Sequence, residues 1–183
     1  MTKSILLVRM ESGRQAWQAL LDQIDEAAML EPGVEGVWSV KEIVAHIAGY
    51  QQYFGAYLID LRQESSNSAG MTAILDNYYQ QHLNLYHQAH PDFPARLDDV
   101  HDDQLNIIFA FACQQQSVQE VLVVEQQAFE RLLAEVQALP EVTLLDSHEN
   151  RDRPLIEIIP NQCYAHYQIH MPAIERWWLR RHR

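Results

Sequence analysis

Apolar and small residues recur along this chain at alternating intervals of three and four, a spacing that fits helices packed on one another at a shallow angle. The first run is Leu6, Met10, Gly13, Trp17, Leu20, Ile24 and Ala27. It predicts a helix that ends near Ala28, ahead of the breakers Pro32, Gly33 and Gly36. A second helix starts at Ser39, which can cap it; Glu42, three residues on, completes a capping box, with Trp38 just before. Its inward stripe reads Val40, Ile43 or Val44, His46 or Ile47, Tyr50, Phe54, Tyr57 and Leu61, and the polar run Ser65, Ser66, Asn67, Ser68 ends it.

Met71 to His87 carry a helical pattern through Ile74, Tyr78 and Leu85, which predicts a short extra helix, followed by a loop from His90 to Asp103 rich in Pro, Asp and His. Leu105 to Phe111 lead into a third long helix with Val118, Val121, Leu122, Phe129, Leu132, Leu133 and Val136 inward, closed by Pro140. A connection from Glu141 to Pro160 holds an expected extended piece at Leu155 to Ile159, and the fourth helix runs from Asn161 to about Arg180. Pro172 removes one backbone hydrogen bond from it and predicts a bend just after His170. The pattern as a whole is all-α: a four-helix bundle in a single domain over 1–183, with long connections after helices two and three. Those connections leave the order of the helices in space open.

A chain of 183 residues buries a sufficient core without staples. Cys113 and Cys163 stand in no paired motif and are expected to be reduced. The net charge of -12 disfavours nucleic acid and anionic membranes as partners. The one basic cluster, Arg176, Arg180, Arg181, His182 and Arg183, falls where a helix end welcomes cations. Ile5 to Val8 is too short for a signal-peptide core or a membrane span, so a cytoplasmic protein is expected.

The fourth helix places Cys163, His166, His170, Ile174 and Trp177 on its inward stripe. Residues four apart stack one turn above the other, so two imidazoles can reach a common point. Buried imidazoles side by side must stay neutral and have both ring nitrogens satisfied, and a divalent metal meets both demands. His46, on or beside the inward stripe of helix two, offers a third ligand from a facing helix. The spacing of four between the histidines is by itself a weak signal, since core and surface histidines share it. The histidines at 82, 87, 90, 101, 148 and 182 are read as surface residues.

Glu42 and Gln162 each stand one turn before a candidate ligand and are candidates to accept its outer N–H; a cap for Glu42 and a solvated face for Gln162 are the ordinary readings. Cys163 is a candidate soft fourth ligand, although a small buried thiol is the commoner case. Tyr50, Tyr53, Tyr164 and Tyr167 are candidate pocket residues, and Trp38, Trp177 and Trp178 candidate anchors for helix ends.

The segment Trp38-Ser-Val-Lys-Glu-Ile-Val-Ala-His46-Ile-Ala-Gly-Tyr50 resembles the second-helix signature of the DinB-like superfamily, in which a Trp opens the helix and a ligand His follows about two turns later. Asn161, Tyr164, His166, Tyr167, His170, Ile174 and Trp177 are similar to the fourth-helix segment of its ClbS/DfsB branch. Two features depart from that branch: the stretch from about Ser65 to Asp103 is longer, and the segment before helix four lacks a Trp often found there.

The resemblance implies a DinB-like bundle with a metal site at His46, His166 and His170. The superfamily includes metal-dependent enzymes that use low-molecular-weight thiols, and the branch includes a resistance protein that opens an electrophilic cyclopropane. The implied function is metal-dependent detoxification of reactive small molecules, by thiol S-transfer or by hydrolysis; the alternative is a non-catalytic protein that binds or sequesters a metal or ligand. Three imidazoles leave a coordination position open, as catalytic sites do. Nitrogen ligation suits zinc or nickel first, with iron and copper also compatible. A small-molecule substrate is expected, and a homodimer stays open.

Overall fold

The computed structural model describes residues 1–62, 70–146 and 153–182. The polar run Ser65 to Ser68, His148 and Arg183 lie outside them. Helix α1 spans Lys3–Leu21 and is capped by Thr2, whose hydroxyl accepts the Ile5 N–H. The first helix therefore stops well before Ala28. Asp25 starts a separate short helix, α2 (Glu26–Met29), by accepting the Ala28 N–H at 2.9 Å, and Ala28, not Ala27, is the buried residue. Helix α3 spans Val40–Arg62 and opens on the expected capping box: Ser39 N–H donates to Glu42 Oε2 at 2.8 Å and Glu42 N–H to Ser39 Oγ at 3.3 Å.

Helix α4 (Met71–Ala89) has 19 residues, so it is not short. Its cap comes from a distance: Asp60, on α3, accepts the N–H groups of Met71 and Thr72. It buries Tyr79 and Leu83, whereas Ile74, Tyr78 and Leu85, which carry the helical pattern in the sequence, are exposed. A one-residue shift of the stripe is enough to turn it, because α4 packs on one side only. Helices α5 (Asp102–Ala112) and α6 (Val118–Ala138) are separate, since Ser117 and Glu120 form a second capping box that starts α6 afresh. After α7 (Glu141–Leu145), the expected extended piece is instead α8 (Leu155–Ile158), followed by a 3-10 turn, Ile159–Gln162. Helix α9 (Tyr164–Arg181) begins three residues beyond Asn161 and runs through Pro172 without interruption.

The bundle consists of α1, α3, α6 and α9. Helix α3 packs on α6 and α9, and so does α1, which puts α1 and α3 on one diagonal. Polar ties fix the directions. Lys3 Nζ donates to the carbonyls of Gln137 and Leu139, while Gln119 reaches Glu26, so α1 and α6 are antiparallel. Lys41 donates to the Gln116 carbonyl and Arg62 pairs with Glu135, so α3 and α6 run parallel. Parallel neighbours cannot be joined by a tight turn, and a helix of 23 residues is about 35 Å long. Helices α4 and α5 supply that crossover. The first returns antiparallel along α3, with Tyr79 OH donating to Gln52 at 2.8 Å, and the second brings the chain to the start of α6.

The main core is apolar, from Leu6, Met10 and Trp17 to Ile174 and Trp177; a satellite cluster of Tyr79, Leu83, Ile108 and Phe109 sits under the crossover. One polar knot interrupts the core. Glu125 of α6, fully buried, pairs with Arg14 of α1 and accepts from Tyr167 OH of α9 at 3.0 Å, and that hydroxyl accepts from Gln51 of α3 at 2.8 Å. Close backbone approach also matters. A Cβ on Gly13 would lie 2.3 Å from Tyr164 Cβ, so α1 seats on α9 only because Gly13 has none. Among the described residues, no helix is long and apolar enough to cross a membrane.

Replacing Glu125 by Ala strands the Arg14 charge and the Tyr167 hydroxyl in the core. The expected cost is about 3–5 kcal/mol in urea unfolding; a loss below about 1 kcal/mol would show that the knot is solvated.

Candidate metal centre

His46 lies two turns into α3, and His166 and His170 lie one turn apart on α9, which crosses it antiparallel. All three are buried, at 4%, 9% and 7% exposure. Each offers a ring nitrogen, and these atoms lie within 4.8 Å of one another. His46 Nε2 and His166 Nε2 are 2.9 Å apart, with the rings nearly perpendicular at 88°. His170 uses Nδ1 on Glu35 at 2.9 Å, which leaves its Nε2 as the free nitrogen.

Burial is the main cause that pushes His46 down to about 3 and His166 down to about 4, and the neighbouring imidazoles push the same way. Both rings are therefore neutral at physiological pH and present lone pairs, the state a metal ligand requires. The donor set fits a divalent ion. With metal–nitrogen bonds of about 2.0–2.1 Å, ligands on a tetrahedral ion stand about 3.4 Å apart, so a pair at the 4.8 Å limit would draw together by about 1.4 Å while the His46 and His166 rings, at 2.9 Å, would part slightly. The outer nitrogens, His46 Nδ1 and His166 Nδ1, are buried without a hydrogen-bond partner.

Glu35 reaches His170 from the loop between α2 and α3. Gly33 (φ 97°) and Gly36 (φ 59°) take left-handed conformations that glycine adopts freely. They let Val34 N–H reach the Trp38 carbonyl at 2.9 Å and Trp38 N–H the Glu35 carbonyl at 3.0 Å. The same turn lays Trp38 against His46, with ring centroids 5.3 Å apart, so Trp38 walls the centre as well as opening the helix. Tyr50, one turn beyond His46, stands 5.1 Å from that ring, and its hydroxyl donates to Asn106 Oδ1 of α5 at 2.9 Å. Burial pushes the Tyr50 phenol up to about 12. Asn106 also favours protonation of His46, against the larger effect of burial.

Several candidates sit elsewhere. Glu42 is spent on Ser39, and neither it nor Gln162, in the 3-10 turn, reaches a histidine Nδ1. The Cys163 thiol donates to the Ile159 carbonyl at 3.2 Å, and burial pushes it up to about 12, so it is a protonated core group. Tyr167 neighbours His166 in sequence yet turns into the Glu125 knot, stacked on Trp17 at 5.1 Å. Tyr53 stacks on Tyr79 in the satellite cluster, and Tyr164 abuts Gly13. Trp177 is a buried anchor with the Arg181 guanidinium 5.0 Å above its ring, and Trp178 is half-buried beside it. His82, His87, His90, His101 and His182 lie outside the cluster.

The sequence reading missed Glu35 and Asn106. Glu35 lies in an aperiodic loop, where its only signal is the pair of flanking glycines. Asn106 is brought in by the crossover, and no local pattern could have placed it.

With this geometry in hand, comparisons locate the chain among known proteins. The family model of the DinB superfamily matches residues 9–171. Similar solved structures include a crystal structure of a protein from Streptococcus pneumoniae, at 15% identity and TM-score 0.68, covering 97% of this chain and 90% of that one. The colibactin self-resistance protein ClbS, solved in complex with double-stranded DNA, is 12% identical at TM-score 0.68, with 96% and 94% of the chains covered. The sibling lethal factor precursor DfsB is 14% identical at TM-score 0.69, covering 99% and 97%. At these identities the structural likeness carries the fold. No curated protein sequence matches the chain.

The lowered histidines set a pH response for the metal-free chain. Below the ordinary value of 6.5 the unfolded chain takes up protons that folded His46 and His166 refuse until about 3 and 4. Stability is thus held above pH 6.5 and lost as pH falls, by about 1.4 kcal/mol per pH unit for each histidine. Urea midpoints measured from pH 7 to pH 5 should fall for the native sequence and fall less for His46→Gln.

Proposed function

Since the chain belongs to the DinB superfamily, we propose that His46, His166 and His170 hold one divalent metal ion in a detoxification enzyme. The reaction class is S-transfer from a low-molecular-weight thiol, or hydrolysis, acting on reactive electrophilic small molecules. The observation that carries this reading is the convergence of three buried ring nitrogens from two facing helices, two of them on rings that burial keeps neutral. Zinc or nickel suits this donor set first, and iron and copper are compatible. When bound, the ion would supply a Lewis acid able to lower the pKa of a water to roughly 7 or to hold a thiolate.

The chain's own residues set the terms around the ion. The Glu35 carboxylate accepts the His170 Nδ1 proton, which fixes the tautomer and leaves Nε2 as the ligand atom. Trp38 and Tyr50 cover His46 and limit access of bulk water. Tyr50, pushed up to about 12, keeps its proton at neutral pH and can donate a hydrogen bond but cannot act as a base. Both cysteines are free and buried, which suits a reducing cytoplasm. Although ClbS was solved with duplex DNA, a net charge of -12 favours a small-molecule partner here.

Elemental analysis of purified protein tests the centre. One equivalent of metal is expected, lost in His46→Ala, with affinity weakened about 10–100-fold in Glu35→Gln; full retention in His46→Ala would remove the centre as drawn. Turnover of monochlorobimane by the loaded protein, with and without thiol, tests the chemistry. Metal retention with no turnover by thiol or water would favour the sequestering alternative.

A further inference from the structure

Half-buried residues border the centre on one side. Glu35, Trp38, Tyr50 and Asn106 around it are half-buried, while Tyr167 and Ile174, which neighbour the α9 histidines in the core, are fully buried. The side between Glu35 and the crossover helix α5 is therefore the one nearer to solvent. Asp102 and Asp103 open that helix, and they precede Asn106 by four and three residues, which puts both carboxylates on the helix face that bonds Tyr50. Both are exposed, and their charge adds to the effect of burial in holding the proton on Tyr50. Glu35 stands on the other edge with its side chain 31% exposed.

A bare helix N-terminus would draw anions through its unpaired N–H groups. Here two carboxylates in the first turn reverse that sign. Three cations of neighbouring segments are engaged away from the centre: Lys41 on the Gln116 carbonyl, Arg14 on Glu125, Arg181 on Glu31.

We infer that Asp102, Asp103 and Glu35 bias the approach to the centre, beyond the atom that meets the ion, toward uncharged and positively charged small molecules and away from those that carry further negative charge. The substrate class is amine-bearing or neutral electrophiles, and the thiol that suits the site carries no carboxylate. This inference rests on the metal reading above. Charges within a Debye length of the ligand should separate a cation from an anion by about tenfold at low salt.

The test uses nickel-loaded protein and three pyridines whose para substituents cannot chelate: neutral 4-methylpyridine, cationic 4-(aminomethyl)pyridine and anionic 4-pyridylacetate. Binding is followed by nickel ligand-field absorption, and each ligand is compared between the native sequence and Asp102→Asn/Asp103→Asn, which cancels differences in basicity. At about 10 mM salt the double variant should lose affinity for the cation and gain it for the anion, changing their ratio about tenfold. At about 1 M salt, where screening acts within about 3 Å, the change should vanish. A ratio unchanged within about twofold overturns the inference even though the metal is bound. If the chain retains no nickel, the metal reading fails instead, and charge selection is then read on the metal-free protein. In a Trp178→Phe background, the ratio of iodide to caesium quenching of Trp38 should rise in the double variant; an equal ratio overturns the inference there too.

Discussion

A carboxylate buried at the meeting point of four helices dictates much of this structure. Glu125 cannot be left alone in an apolar core, because an unpaired charge there costs far more than the bundle's margin of stability. Arg14 and Tyr167 answer it, and Gln51 answers Tyr167, so each bundle helix contributes one side chain and each is held at one rotation about its own axis. Tyr167 lies within the turn between His166 and His170. The rotation of α9 that sends Tyr167 to Glu125 also sends those two histidines toward α3, where His46 waits. The knot is not a ligand of anything, yet the convergence of the three rings depends on it.

The parallel run of α3 and α6 has a second set of effects. It demands a crossover as long as the bundle, and the crossover becomes functional surface. Phe109 lies over Gly49, where a Cβ would come within 2.7 Å of the ring, so α5 approaches α3 closely enough for Asn106 to reach Tyr50. The stretch that looked long in the sequence, about Ser65 to Asp103, is thus mostly α4 and its loop, and α5, which follows it, is the piece that borders the centre.

The features legible in the sequence were those encoded by local periodicity. The Ser39 and Glu42 capping box, the stripe of α3 and the one-turn spacing of His166 and His170 each depend on residues within a few positions, and all appear in the fold. The same logic was available at Ser117 and Glu120, where a capping box splits two helices that hydrophobic spacing alone had joined. Leu155 to Ile159 shows a true ambiguity: a short apolar run fits a strand or a buried helical turn, and packing against the main core decided for the helix. Ile74, Tyr78 and Leu85 marked the helical period of α4 but not its buried face, Tyr79 and Leu83, because a helix covered on one side only leaves apolar residues in water. Glu35 and Asn106 carried no local mark, since their roles arise from a glycine-bent loop and from a crossover.

The satellite cluster of Tyr79, Leu83, Ile108 and Phe109 bears on how the molecule assembles. Its contacts link α3 to the two segments that follow it, so it can form from one contiguous stretch of nascent chain, and loop closure there is inexpensive. Helix α6 can then dock on a prebuilt platform instead of searching across an unfolded crossover. Helix α9 is the last bundle helix to be made, and it carries two of the three histidines. Assembly order thus has a consequence for the proposed centre: until α9 has docked only His46 is in place, so the three-histidine set is completed by the last bundle helix to be made.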